Sequence, residues 1–480
     1  MKILFASWEM DPFFKKGGLG DVANELPEAL LKLGTDARVV LPWYLTIHLK
    51  KEHLTHIGNI YVSYDGKKEK VACFMTSHPV SHVPVYLLKH KKYFDHISPD
   101  CFPFFDLCVV QMIKKPILKW IPDIIHCNDH HTGLIPLLLK IAGEKTIKTL
   151  LTIHNLMYQG RTDTRVISKI GLSESKFKSI RYGNSKKTFN MLMEGIMHAD
   201  MVTTVSPTYA KEIMTKEQGE GLDEVLRGKQ GRVFGILNGI RRENFNYRKF
   251  IDVSVTQDAK FRDYQNLHDH ICGWKKAKEK DKNFLQMKLK LKITTEVPIL
   301  SFVGRIAPAQ KGIELIYDFI KEVEPKEYQF VLLGTGDKVW EEKMKMLEAV
   351  YPQMVSVNLL YSDSLAHEIY ASSDFLLIPS KFEPCGLIQM LAMYNGTLPI
   401  AHKTGGLKDS IKDTVNGFLF ENYSPVTFSN AVKKAMHIWN NDKKKYTEMV
   451  ESALESDFSW REESANKYFD LYHKLVTNTV

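Results

Sequence analysis

The chain has 480 residues, of which 44% are hydrophobic and 25% charged, so it can bury more than one domain core. Its net charge of +9 is small for this surface, which argues against nucleic acid as a partner. The six cysteines form no C-x-x-C pair, which fits a reducing, cytoplasmic compartment. No apolar run approaches the ~20 residues of a membrane-spanning helix, so no membrane association is expected.

The start, MKILFASWEMDP, has too short an apolar run for a secretion signal and is predicted to be a strand. Beyond it, short apolar runs alternate with longer amphipathic segments, as in parallel sheets covered by helices. The strands predicted in the first half are Ile3–Ser7, Ala37–Leu41, Val85–Leu88, Ile124–His126, Thr149–Ile153, Met201–Val205 and Val233–Leu237. Those predicted in the second half are Ile299–Val303, Phe330–Leu333, Val355–Leu359, Phe375–Pro379 and Leu398–Ala401.

Two such series predict two doubly wound α/β domains with ligands at the carboxyl ends of the strands. The segment Asn246–Lys292 lacks the alternation and is rich in Lys, Asp and His, which predicts a hinge followed by a helical linker. The expected domains are therefore residues 1–245 and 246–461. The many lysines between Lys275 and Lys292 are expected to form a solvated face.

The first motif follows the first strand and reads KKGGLGDV, from Lys15 to Val22. Its glycines allow a phosphate to approach the backbone at the start of a helix, where free amides and the helix dipole favour an anion. A structural turn explains the glycines equally well. Lys15 before the loop and Asp21 after it favour a site.

Two further motifs follow strands of the first half, HCNDHHTGL from His126 and TIHNLMYQG from Thr152. The first is dense in His and Asp, as metal sites are, but an active-site loop that carries Asp129 is the preferred interpretation. In the second, His154 is either a structural or a catalytic histidine. A later motif, ILNGI, contains Asn238, for which an Asn-Gly turn is a sufficient explanation.

The second half carries FVGRIAPAQKG, which places Arg305 and Lys311 on one short loop after a strand. Two cations at a strand's carboxyl end suit a diphosphate. Farther along, SKFEPCGLIQ places Glu383 at the start of a helix, either as a cap or as a ligand for sugar hydroxyls. No Asp-x-Asp occurs, so the common metal-diphosphate arrangement has no obvious ligands.

These motifs, with TGGL from Thr404 and a final FSW…Y from Phe458, resemble in order and spacing those of the glycogen and starch synthases. The resemblance covers essentially the whole chain. It implies the GT-B fold, with two Rossmann-like domains facing an interdomain cleft and a C-terminal helix, residues 462–480, that crosses back to the first domain. It also implies transfer of glucose from ADP-glucose or UDP-glucose to the non-reducing end of an α-1,4-glucan, with retention of configuration and without a metal or other cofactor.

The resemblance assigns roles to residues that match the family's motifs. The implied catalytic residues are Lys15, Asp129, His154, Arg305, Lys311 and Glu383. The implied donor-binding residues are Lys15, Gly18, Asn238, Arg305, Lys311, Tyr361, Glu383, Cys385, Gly386 and Leu387, with Tyr361 stacking on the base. The residues implied at the acceptor or elsewhere in the cleft are Asp21, Asp129, His131 and Asn155.

Two other functions are kept as alternatives, and a homo-oligomer is left open. One is a different retaining GT-B transferase, but such relatives usually carry a second Glu eight residues after the first, where this chain has Leu391. The other is a catalytically silent glucan-binding protein. The joint presence of Lys15, His154, Arg305, Lys311 and Glu383 argues against it.

Overall fold

The computed structural model of the chain describes residues 1–115, 117, 119–177, 188–241 and 267–477. The chain divides into two compact units, one formed by Met1–Gly239 with Ser459–Val480 and the other by Ile240–Phe458. The division thus falls after Gly239, where the sequence suggested residue 245, and the C-terminal segment joins the first unit from Ser459. Residues 246–266 of the expected hinge lie outside the described residues.

The first unit is built on a nine-stranded sheet in the order β11-β10-β7-β6-β1-β2-β5-β4-β3. Its strands are β1 Lys2–Ala6, β2 Asp36–Pro42, β3 Thr55–Tyr64, β4 Lys67–Ser77, β5 Pro84–Lys89, β6 Ile124–Asn128, β7 Lys148–Ile153, β10 Met201–Thr204 and β11 Val233–Gly235, with a separate pair, β8 Arg161–Asp163 and β9 Thr188–Asn190. The seven strands predicted from the apolar runs are confirmed and pair in parallel.

The helices of the first unit cover this sheet. They are α1 Gly18–Lys32, α2 Lys91–Phe94, α3 Cys101–Lys114, α4 Ile135–Ile141, α5 Arg165–Lys169, α6 Met191–His198, α7 Pro207–Glu212 and α8 Asp223–Arg227, with the C-terminal α18 Ala465–Thr477. The C-terminal segment is held by buried hydrogen bonds, from Trp460 Nε1 to Glu25 Oε2 at 2.9 Å and between Tyr472 Oη and His126 Nδ1 at 2.6 Å.

The antiparallel hairpin of β3 and β4 lies at one edge of this sheet and was not predicted from the sequence. The hairpin turns at Asp65 and Gly66, both with positive φ, and Asp-Gly between alternating strands is a hairpin signal. Its strands alternate buried and exposed side chains, so they lack the continuous apolar run by which the parallel strands were recognised.

The second unit is built on a six-stranded sheet in the order β14-β13-β12-β15-β16-β17, parallel throughout. Its strands are β12 Ile299–Val303, β13 Gln329–Leu333, β14 Val355–Asn358, β15 Phe375–Ile378, β16 Leu398–His402 and β17 Phe418–Phe420. Its helices are α9 Leu267–Lys288, α10 Pro308–Lys311, α11 Ile313–Glu322, α12 Lys338–Val350, α13 Asp363–Ser372, α14 Ile388–Tyr394, α15 Gly405–Ser410, α16 Pro425–Asn441 and α17 Lys443–Glu455.

The expectation that the lysine-rich linker is solvated is wrong for two lysines of α9. Lys278 and Lys282, one helical turn apart on one face, are only 6% and 5% exposed. The ammonium of Lys282 bonds to Asp374 Oδ2 at 2.9 Å, and that of Lys278 to Thr397 Oγ1 at 2.7 Å. Burial lowers the pKa of Lys278 to about 7. These contacts fix α9 to the second sheet, so this part of the linker is a structural element.

Within the described residues, no helix is both long and apolar enough to cross a membrane.

Candidate active site

The glycine loop of the first unit already contains an anion of the chain itself. Glu9, which follows β1 and is 2% exposed, accepts hydrogen bonds through Oε2 from the backbone amides of Lys16 and Gly17, the latter at 3.0 Å. Burial raises the pKa of Glu9, and the two amides oppose that shift. Two amides of the glycine loop are therefore already satisfied by a carboxylate of the chain, which the sequence did not predict.

Lys15 and Asp21 form an ion pair across this loop, with Lys15 Nζ 2.6 Å from Asp21 Oδ1. Lys15 is exposed, and Gly18, the first residue of α1, is exposed as well. Gly17 caps the helix without a side-chain hydrogen bond. The helix start is thus exposed, the adjacent ammonium is paired with Asp21, and anion binding here remains a prediction.

At the carboxyl ends of β6 and β7, Asn128 fixes the ring of His154. The Asn128 amide donates through Nδ2 to the Ala6 carbonyl at 3.0 Å, so its Oδ1 is the atom that faces His154 Nε2 at 2.8 Å. His154 Nε2 must therefore carry the proton. Burial lowers the pKa of His154 to about 3, so the ring is neutral and its Nδ1 can accept a hydrogen bond from a hydroxyl.

Asp129 fixes the backbone of the same loop. Its Oδ1 accepts from the amides of His154 at 2.7 Å and Asn155 at 3.5 Å, and its own φ is +54°, an uncommon value for a residue with a side chain. Burial raises the pKa of Asp129 to about 7, against the effect of those two amides. Asn128 and Asp129 thus hold the ring and the main chain of His154.

The two adjacent histidines of HCNDHHTGL contact different partners. His130 Nδ1 lies 3.1 Å from the Tyr158 carbonyl, and the His131 ring stacks on Trp8 with 4.4 Å between centroids. Burial lowers the pKa of His130 to about 4. Over the ranges that the structure describes, no group of three His, Cys, Asp or Glu could hold a metal ion.

Asn155 and Asn238 were both predicted at the site, and their side chains differ in their hydrogen bonds. Asn155 Oδ1 accepts from the Met157 amide at 3.0 Å, which is a turn contact. Asn238 is buried, and its Oδ1 has no hydrogen-bond partner among the described residues. No turn forms at 236–239, so the alternative explanation of Asn238 by an Asn-Gly turn does not hold. Gly239 is instead required by close packing, since a Cβ there would lie 2.6 Å from the Trp460 nitrogen.

In the second unit the structure brings Lys311 and Glu383 together. Lys311 Nζ lies 2.5 Å from Glu383 Oε2, which also accepts from Ser380 Oγ at 2.9 Å. Lys311 ends the single helical turn α10, where the sequence suggested a plain loop. Arg305 is exposed and donates through Nη2 to Gln310 Oε1 at 3.1 Å. The carboxyl ends of β12 and β15 thus present two cations and one carboxylate.

Glycines allow the backbone segments around this carboxylate to pack closely. A Cβ on Gly312 would lie 2.0 Å from the Pro379 carbonyl oxygen. A Cβ on Gly405 would lie 1.9 Å from the backbone carbonyl oxygen of Glu383, and a Cβ on Gly406 would lie 2.1 Å from that of Cys385. The TGGL motif therefore sets the backbone position of the FEPCGL motif.

Cys385 is buried, while Gly386 has φ +70° and Leu387 precedes the first turn of α14 without a side-chain cap. No side chain therefore caps the first amides of this helix, and their contact with an anion remains a prediction. Tyr361 is 81% exposed and donates to Asp363 Oδ1 at 2.9 Å, so its ring face is accessible for stacking.

Sequence reasoning did not identify Glu9, Asn128 or Ser380 as site residues. Asn128 lies inside a recognised motif, and its position at the carboxyl end of a strand was the available signal. Glu9 bonds to the amide of Gly17, 8 residues away, and Ser380 bonds to Glu383, 3 residues away. No sequence pattern distinguishes Glu9 or Ser380 from other loop residues.

Comparison with known proteins shows the family of this chain. Residues 2–228 match the family model for the starch synthase catalytic domain, and residues 283–455 match that for glycosyl transferases group 1. The glycogen synthases of Streptococcus pneumoniae strains JJA and Hungary19A-6 are each 35% identical over 498 residues, covering 99% of this chain and 100% of theirs. The chain belongs to the glycogen and starch synthase family.

Solved structures place this synthase in the GT-B fold class, as the resemblance implied. The catalytic domain of starch synthase IV from Arabidopsis thaliana, bound to ADP and acarbose, is 31% identical with a TM-score of 0.85 and 99% coverage of both chains. Sucrose-phosphate synthase from Thermosynechococcus elongatus, at 17% identity and a TM-score of 0.60, shares the fold alone. The protein is a glycosyltransferase with glycogen/starch synthase function.

Proposed function

We propose that this synthase transfers glucose from ADP-glucose to the non-reducing end of an α-1,4-glucan with retention of configuration. The pairing of Lys311 with Glu383 at 2.5 Å carries the proposal, because it joins a cation for phosphate to a carboxylate for sugar hydroxyls. The ADP bound to the Arabidopsis relative favours ADP-glucose over UDP-glucose. A cytoplasmic location is part of the proposal.

Rupture of the donor's anomeric bond leaves positive charge on the sugar and negative charge on the diphosphate. In the proposed reaction Arg305 and Lys311 stabilise that diphosphate, assisted by the amides that follow Cys385. Lys311 then shares its donors between Glu383 and the phosphate oxygens. Glu383 accepts hydrogen bonds from glucose hydroxyls, which orients the ring.

Residues of the first unit are proposed to contact the transferred glucose and the acceptor. Because His154 presents an unprotonated Nδ1, it accepts a hydrogen bond from a sugar hydroxyl and does not donate one. The acceptor hydroxyl attacks from the face that the diphosphate leaves. The oxygen of the acceptor hydroxyl forms a bond to the anomeric carbon while the bond between that carbon and the phosphate oxygen breaks. The proton of the acceptor hydroxyl passes to the departing diphosphate. Lys15 supplies a further cation, and Asp129 acts by holding the loop of His154.

The test is release of nucleoside diphosphate from ADP-glucose and from UDP-glucose, each with glycogen and each without it. We expect glycogen-dependent ADP release and growth of glucan chains. Faster turnover of UDP-glucose would overturn the donor assignment. ADP release that depends on a different acceptor would favour another transferase, and no release with either donor would favour a silent glucan-binding protein.

A further inference from the structure

A basic cleft lies in the first unit beyond the carboxyl end of β5. Its volume is about 800 Å³, and it is lined by β3, β4, the end of β5 and the segment that contains α2. In the sheet order, β2 separates β5 from β1, and β6 and β7 lie beyond β1. The cleft residues are thus different from those that hold Glu9, Asp129 and His154.

The floor of the cleft is one row of paired residues across three strands. Asn59 of β3 lies opposite Ala72 of β4, which lies opposite Lys89 of β5. Directly paired residues project from the same face of a sheet. The methyl group of Ala72 leaves room between the longer neighbours, and Lys70, two residues before it on β4, lines the same face.

Four lysines line the cleft, and none of them is paired within 4 Å with a carboxylate of the described residues. They are Lys70, Lys89, Lys91 and Lys92, all exposed. Asp95 is the one carboxylate among the residues that line the cleft, and Glu69, whose Oε2 lies 3.2 Å from His90 Nε2, acts on Lys92 from beside it, so the four ammonium groups outnumber these two carboxylates. Ammonium groups gathered in this way repel one another, and a bound anion relieves that repulsion.

Aromatic rings hold two of the ammonium groups in place. Lys89 Nζ lies 4.4 Å from the ring centre of Trp43, and Lys92 Nζ lies 4.6 Å from that of Tyr93, to whose hydroxyl it also donates at 2.8 Å. A cation–π contact fixes an ammonium without using its hydrogen-bond donors on a carboxylate. The donors of Lys89 therefore remain available to a ligand.

We propose that this cleft binds a small organic phosphate that carries two or more negative charges. Its volume lies within the ~300–1,000 Å³ range of sites for small molecules. A neutral glucan is a poorer match, since its binding would leave the lysine charges uncompensated. The proposal does not depend on the assigned donor chemistry.

Pyrophosphate is a suitable probe for this cleft. Its binding is measured by the rate at which each lysine is acetylated, mapped by mass spectrometry. Because the readout is specific to each lysine, it separates this cleft from any other phosphate site. At a pyrophosphate concentration ten times its Kd, acetylation of Lys89 and Lys91 should slow about tenfold. Lys443 is the matched control, because it also lies over a tryptophan, Trp439, at 3.2 Å, and is followed by Lys444. Both control lysines should react at an unchanged rate at equal ionic strength.

The double variant Lys89→Gln/Lys91→Gln should bind pyrophosphate at this cleft at least about tenfold more weakly, measured by the protection that remains at Lys70 and Lys92. Lys443→Gln/Lys444→Gln should leave that protection intact. Equal slowing at cleft and control lysines would overturn the proposal. So would protection by maltoheptaose with none by pyrophosphate, which would make the cleft a glucan site.

Discussion

Lys311 and Glu383, separated by 72 residues in sequence, meet at 2.5 Å between Nζ and Oε2. Each side chain is more than four-fifths buried, so the pair is shielded from solvent. In the proposed reaction, the donor diphosphate therefore meets an ammonium that a carboxylate already orients.

Glu383→Ala should keep the fold and lower kcat by roughly 10- to 100-fold or more, because it removes a charge-assisted sugar contact worth about 1.5–3 kcal/mol. Steady-state kinetics with circular dichroism would separate turnover from folding. Glu421→Gln is the control, since it breaks a more exposed pair with Lys403 in the same unit. Parental turnover in the Glu383 variant would remove this residue from the site.

Arg305→Ala and Lys311→Ala should each weaken ADP binding about ten- to a hundredfold, through loss of a charge-assisted phosphate contact. Arg305→Lys should fall between, because the charge stays while the bidentate fork is lost. Calorimetric titration with ADP measures this, and Lys433→Ala, which loses only an exposed pair with Glu322, serves as control. Unchanged ADP affinity in both alanine variants would contradict the diphosphate assignment.

Lys15→Ala should mainly reduce turnover.

Asn128→Asp should shift the pH dependence of kcat/KM. The substitution places a carboxylate 2.8 Å from His154 Nε2, which stabilises the imidazolium and raises the pKa of His154 from about 3 towards neutrality. Activity should then decline as pH falls through the new pKa, because protonated Nδ1 no longer accepts a hydrogen bond. Asn358→Asp is the matched control: Asn358 also ends a strand and donates to a strand carbonyl, that of Leu332 at 3.1 Å. Identical pH profiles for the two variants would contradict this role.

The free energy of unfolding of the Asp129→Asn variant should increase relative to that of the parent as pH rises. Burial raises the pKa of Asp129 to about 7 in the folded state from its ordinary value of 3.8, so the folded state binds more protons between these values. The parent therefore loses stability as pH rises from about 4 to 7, and the loss levels off above 7, whereas Asn stays neutral. Unfolding in urea at pH 5 and pH 8 measures the difference. A stability difference that does not change with pH would show that Asp129 does not titrate in this range.

Activity should persist in the presence of a chelator. The proposed neutralisation of the diphosphate comes from Arg305 and Lys311 and requires no divalent ion. Initial rates with and without EDTA, followed by addition of Mg²⁺ or Mn²⁺, measure this. Loss of activity in EDTA that either metal restores would show that the two cations are insufficient.

Most of the parallel strands were predictable because each is a short, mostly apolar run that helices cover. The short edge strand β17, Phe418–Phe420, was not predicted. The β3–β4 hairpin was predictable in principle from Asp65-Gly66, but its half-exposed strands give a weaker signal. The burial of Lys278 and Lys282 was not predictable, since their partners Thr397 and Asp374 lie about a hundred residues away.

The sequence by itself determined the family, the two α/β sheets and the strand ends on which site residues lie, because periodicity and motifs are local properties. Tertiary structure alone decided which side chains meet: Lys311 with Glu383, Asn128 with His154, and Glu9 with the amides of the glycine loop. It also decided protonation, since the opposite pKa shifts of Asp129 and His154 both arise from burial. Desolvation depends on what packs around a group in three dimensions, which sequence spacing does not specify.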